Sequence, residues 1–133
     1  MEEIRQYEKF IIELMNRYGT GTIYNMPTIE FQRLIDRENF HYMIYTIGWY
    51  KRKRAHSCVF HADIIDGKIW IQHDGTDVGF AAELEEMGVP KENIILAFHH
   101  PSKWEYTRFG TDAGYVDKIV NSEKSVVSST GLN

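Results

Sequence analysis

The stretch from Ser57 to Asp74 reads SCVFHADIIDGKIWIQHD, two apolar runs joined by Asp66-Gly67. Asp-Gly between such runs marks a two-residue β-hairpin turn, because a type I′ turn needs positive φ at both central residues. Counting outward sets Ile65 against Lys68, Ile64 against Ile69, Asp63 against Trp70, Ala62 against Ile71, His61 against Gln72 and Phe60 against His73. Side chains alternate between faces along a strand. One face therefore takes Phe60, Ala62, Ile64, Ile69 and Ile71, which predicts core. The other takes His61, Asp63, Trp70 and Gln72, polar positions around one large aromatic. Aromatic anchors with a polar rim recur at binding interfaces, so these four are candidate partner-binding residues. The competing expectation is that a helix of the same chain covers them.

The flanking segments supply such helices. Ile4, Tyr7, Ile11, Leu14 and Tyr18 recur at steps of three and four, predicting an amphipathic helix over Glu2 to Tyr18, widened by Phe10 and Met15 and stopped by Gly19 and Gly21. The stripe is too short to sustain a dimerising coiled coil. Tyr24 to Pro27 reads as a connector. Thr28 to Asp36 reads as a strand whose apolar face is interrupted by Arg33. Phe40 to Trp49 is apolar on both faces, which predicts a central strand covered on both sides. After the hairpin, Thr76 is the expected N-cap of a helix bearing Phe80, Ala81, Leu84 and Met87, ending at Gly88 with Pro90 beyond. Ile94 to Phe98 reads as a short strand. Ser102 to Gly114 is aromatic and irregular, and Val116 to Asn133 loses aromatic content.

With 133 residues, one domain is expected. The pattern predicts an α+β fold: an antiparallel sheet of about four or five strands, an N-terminal helix and a second helix after the central hairpin. Residues 1–114 are expected to form the domain and 115–133 a C-terminal tail, with room for one short helical or strand turn at Tyr115 to Val120.

Net charge is −4 and the isoelectric point about 5.8. That balance argues against an extended phosphate-tracking surface, since non-specific nucleic-acid affinity comes from neutralising phosphates. Lys51, Arg52, Lys53 and Arg54 are the compact exception. They are candidate nucleic-acid contacts, or a solvated turn whose charges keep its tip soluble. The single cysteine, Cys58, excludes an intrachain disulfide and fits a reducing cytoplasm. The mixed, acidic N-terminus does not resemble a signal peptide, and no apolar run approaches membrane-spanning length.

No constellation predicts a catalytic centre. His61 and Asp63 share a face, but a metal site needs a third ligand; alternation puts His73 on the core face, and His99 or His100 would need a tertiary contact. His41 reads as a semi-buried, hydrogen-bonded histidine. Asp66-Gly67-Lys68 formally matches a nuclease tripeptide, but two of its residues are the turn. Nucleotide-binding glycine loops and nucleophile elbows are absent from the sequence. The expectation is a non-enzymatic protein without metal or cofactor.

One set of residues is more specific than any of these. His41-Tyr42, Gly48-Trp49, His61-x-Asp63-Ile64, Asp66-Gly67-Lys68-Ile69-Trp70-Ile71-Gln72 and Gly75-Thr76 are followed by Ala82-Glu83-Leu84, Glu86-Met87-Gly88-Val89-Pro90-Lys91-Glu92, Ile94 to Leu96, Phe98-His99 and Pro101. Over roughly Met1 to Gly110 the chain resembles the XisI family, the fdxN-element excision controlling factors of cyanobacteria. The resemblance implies an accessory factor rather than an enzyme. It implies a companion, XisH, as the direct partner, with a site-specific recombinase and DNA engaged indirectly, and it allows a homo-oligomer. It carries over no catalytic residue. The Tyr50-Lys51-Arg52-Lys53 turn departs from the family's commoner glycine- or aspartate-containing turn, and the segment after about Gly114 looks like an extension.

Overall fold

The computed structural model describes residues 2–132, with side chains described for 2–124. Helix α1 (Glu2–Tyr18) is followed by strands β1 (Thr22–Ile23), β2 (Met26–Asp36), β3 (His41–Tyr50), β4 (Lys53–Ile65) and β5 (Lys68–Asp74), helix α2 (Phe80–Glu86), strand β6 (Ile94–Leu96) and helix α3 (Ala113–Leu132). Short 3-10 turns occupy Lys91–Asn93 and Pro101–Tyr106. The sheet has six strands in chain order. Every neighbouring pair is antiparallel except β5–β6, where α2 carries the chain back to run parallel. The fold is α+β as the pattern predicts, with a larger sheet. Among the described residues, no helix is long and apolar enough to cross a membrane.

The hairpin turn forms where expected. Asp66 and Gly67 have φ of 51° and 77°, the two positive values a type I′ turn needs. The pairing runs as counted from Ile65–Lys68 to Ala62–Ile71 and then shifts by one residue: His61 lies opposite His73 and Phe60 opposite Asp74. Gln72 is the extra residue, a β-bulge. The expected His61–Gln72 and Phe60–His73 pairs therefore do not form, and His73 is exposed rather than in the core.

One face of the sheet, here called inner, packs on α1 and α2. Its core joins Tyr7, Ile11, Leu14 and Met15 of α1 to Tyr42, Ile44, Phe60, Ala62, Ile64, Ile69 and Ile71, with Phe80, Ala81 and Leu84 of α2. The Phe60 and Phe80 rings lie 4.0 Å apart. Beneath α1, the buried Tyr42 hydroxyl donates to the Glu8 carboxylate at 2.5 Å. Burial, and then the neighbouring Glu8, push the Tyr42 hydroxyl far above its usual pKa, so it stays a donor.

Helix α2 is capped differently from the expectation. Its N-cap is Gly79, not Thr76. The bulge turns Asp74 toward the helix, and its carboxylate accepts from Thr76 N at 2.9 Å, Thr76 Oγ1 at 2.5 Å and Phe80 N at 2.7 Å. Replacing Asp74 by alanine strands these donors. The expected loss is about 2 kcal/mol, or roughly 6–8 °C in melting temperature, read by thermal unfolding.

The C-terminal segment is helical over Ala113–Leu132, a longer element than the short turn expected there. Asp112 Oδ1 accepts from Tyr115 N at 2.9 Å and opens α3. Asn133 and the side chains of 125–133 lie outside the described residues.

Candidate functional site

The outer face of the sheet divides into two halves. On the β5–β6 half, α3 and the Pro101–Tyr106 turn cover a second core of Trp70, Ile95 and Trp104. The indoles of Trp70 and Trp104 meet edge to face at 5.6 Å. Tyr115 stacks on Trp104 at 5.6 Å and meets Trp70 at 5.3 Å. Trp104 Nε1 donates to the His99 carbonyl at 2.9 Å, and His100 Nε2 meets Glu123 Oε1 at 2.8 Å, tying the turn to α3. Trp70 is only 6% exposed. It cannot serve as the exposed anchor expected from the sequence, because the chain's own C-terminal segment occupies that space.

On the β2–β4 half, nothing among the described elements covers the face. Leu34, Met43, Tyr45, Ile47 and Cys58 line an open depression of about 490 Å³. Leu34 is 50% and Trp49 55% exposed. The expectation that β3 is covered on both sides is thus corrected: Tyr42, Ile44 and Thr46 are buried on the inner face, while Met43, Tyr45 and Ile47 are half-buried on the outer one.

His61, Asp63 and Gln72 do come together, at the border between the halves, and His41 joins them. Asp63 Oδ1 meets His41 Nδ1 at 2.7 Å and His61 Nε2 at 3.0 Å; Gln72 Nε2 donates to Asp63 Oδ2 at 3.2 Å. Asp63 is buried, His41 largely exposed and His61 intermediate. The hydrogen bond to Asp63, reinforced by the charges of Asp63 and Asp36, raises the His41 pKa.

A second bulge explains how His41 reaches this position. Counting back from the β3–β4 turn pairs Tyr50 with Lys53 and Tyr45 with Cys58; Ile44 then pairs with Phe60, leaving Val59 extra, and His41 falls opposite Asp63. Sequence reasoning missed His41, although a signal was present. The turns at Lys51-Arg52 and Asp66-Gly67 impose opposite alternation on β4, and a bulge must reconcile them. His99 and His100 lie outside the cluster; the His100 ring is engaged by Ser102 and Glu123.

Lys51 and Arg52 form the tip of the β3–β4 hairpin, and Lys53 and Arg54 begin β4. All four are exposed. Lys51 lies over the Tyr50 ring and Arg54 over the Trp49 ring, at 5.3 and 5.6 Å from the ring centres, so part of this charge rests on the chain's own aromatic residues.

A family model described as XisI protein matches residues 1–111. The chain belongs to the XisI family. The fold is also that of a XisI-like protein from Anabaena variabilis, known from a crystal structure. The two are 36% identical, with a TM-score of 0.74 over 82% of this chain and 99% of that one. The fdxN element excision controlling factor XisI from the same species is 31% identical, with a TM-score of 0.68 over 81% of this chain and 97% of that one. No curated protein matches the chain. The XisI match ends one residue before Asp112, so the cap of α3 and the Tyr115 ring over Trp70 lie beyond it.

Proposed function

We propose that this XisI-family chain is a non-enzymatic accessory factor in the control of DNA-element excision, acting by binding an XisH-like companion protein. Family membership and the likeness to an fdxN element excision controlling factor support the excision role. The observation behind the binding role is the open half of the outer face. Leu34, Met43, Tyr45, Ile47 and Trp49 are held on the paired strands β2 and β3, with no helix among the described residues above them. Such a rigid apolar patch costs little ordering entropy on association. His61, Asp63 and Gln72 form its polar border. Trp70 supports that border from below the C-terminal cover rather than touching the companion.

Co-purification with the companion tests this reading. A chain carrying Leu34→Glu and Ile47→Glu places two carboxylates in the patch without entering the inner core. Each apolar side chain removed from an interface is worth about 1.5 kcal/mol or more. Capture of the companion is expected to fall by about 100-fold, with a nearly unchanged melting temperature. A folded double variant that still captures the companion at wild-type levels removes this face as the docking surface.

A further inference from the structure

We propose that His41, His61 and Asp63 form a binding site for a divalent transition-metal ion of the zinc class. One ligand atom from each lies within 4.8 Å of the others. Two imidazoles and one carboxylate suit zinc, cobalt or nickel, whereas magnesium and calcium favour all-oxygen surroundings. The backbone fixes the arrangement. His61 and Asp63 are alternate residues on β4, and His41 is the cross-strand partner of Asp63. All three residues sit on the outer face of two central strands, and their ligand atoms converge without help from a loop.

Little movement separates the hydrogen-bonded cluster from one that holds an ion. A tetrahedral zinc ion, with ligand bonds of about 2.0–2.1 Å, holds its donors about 3.3 Å apart. His41 Nδ1 and His61 Nε2 stand 2.7 and 3.0 Å from Asp63 Oδ1. The rings need only retreat by about 0.3–0.6 Å to admit it. The side chains of His41 and His61 are 55% and 35% exposed, so both rings can make that movement. Gln72 Nε2 holds the other oxygen of Asp63, an outer-shell bond of the kind that orients ligating carboxylates. Asp63 itself is 7% exposed, and buried carboxylates are normally matched by a cation or a metal.

The site lies on the polar border of the docking face, yet neither requires the other, and their tests share no variant. The full chain, stripped with a chelator, is titrated with Co²⁺ and then Zn²⁺, following visible absorption and melting temperature. One equivalent of Co²⁺ is expected to give tetrahedral-type bands that Zn²⁺ abolishes, with a rise in melting temperature. His41→Ala and His61→Ala, each checked for fold by circular dichroism, are expected to weaken binding by about ten-fold or more. His99→Ala and Cys58→Ser, which remove ligand types elsewhere, leave it unchanged. If the wild-type chain gives no bands, or if folded His41→Ala and His61→Ala variants bind as the wild type does, the site does not exist.

Discussion

Alanine at position 48 is expected to cost about 4 kcal/mol of stability, enough to leave much of the chain unfolded under mild denaturant. Gly48 sits opposite Ile29 in the β2–β3 ladder with φ of 148°. Side chains rarely adopt that conformation. A Cβ there would overlap the Thr28 carbonyl oxygen and press on Ile29 Cα. These are backbone atoms, so relief requires β2 to pull away from β3 over the register from Ile29 to Asp36. Gly67→Ala supplies the contrast. Gly67 also has positive φ, at 77°, but nothing lies within 4 Å of its absent Cβ. Its loss should stop at the conformational term, about 1 kcal/mol. Urea unfolding of both variants separates the two contributions. Equal losses would mean that the overlap at Thr28 relaxes freely.

Trp104→Ala is the second large effect, an expected loss of about 3–5 kcal/mol. Trp104 is 1% exposed and stands between Trp70 and Tyr115. Removing it opens a cavity the size of an indole beneath α3. It also removes the donor to the His99 carbonyl, leaving an acceptor to find water. The damage should be local at first. Fluorescence from Trp70 is expected to shift to the red as water reaches it, while the inner core around Phe60 and Phe80 keeps its far-ultraviolet dichroism until global unfolding. An unshifted spectrum with wild-type stability would mean that the Trp104 contacts contribute little.

Much of the fold was legible because local chemistry decided it. The spacing of Ile4, Tyr7, Ile11, Leu14 and Tyr18 defines α1, whose observed bounds match the expected ones. The Asp66-Gly67 turn sets the first pairings of the central hairpin. The residues that resisted reading depend on longer-range conditions. The bulge at Val59 arises where two turns demand conflicting alternation of β4 and brings His41 opposite Asp63, and the bulge at Gln72 brings His73 opposite His61. Tyr45 and Ile47 look like a buried strand in sequence, yet nothing among the described elements covers them. An apolar side chain held for another molecule has the same composition as one held for the core. Helix α3 escaped notice because its sequence has little amphipathic stripe. Its contact with the rest depends on Tyr115 meeting two indoles placed by distant segments.

The lateral rims of the sheet are stubs: two residues on one flank, Thr22 and Ile23, and three on the other, Ile94 to Leu96. The ladders open to a neighbouring polypeptide are short, the longer being the part of β2 beyond Phe31 that β1 leaves without a strand partner among the described residues, and short edges blunt fibre-like growth. The open outer face, met broadside through side chains, offers a visitor more surface than either rim does.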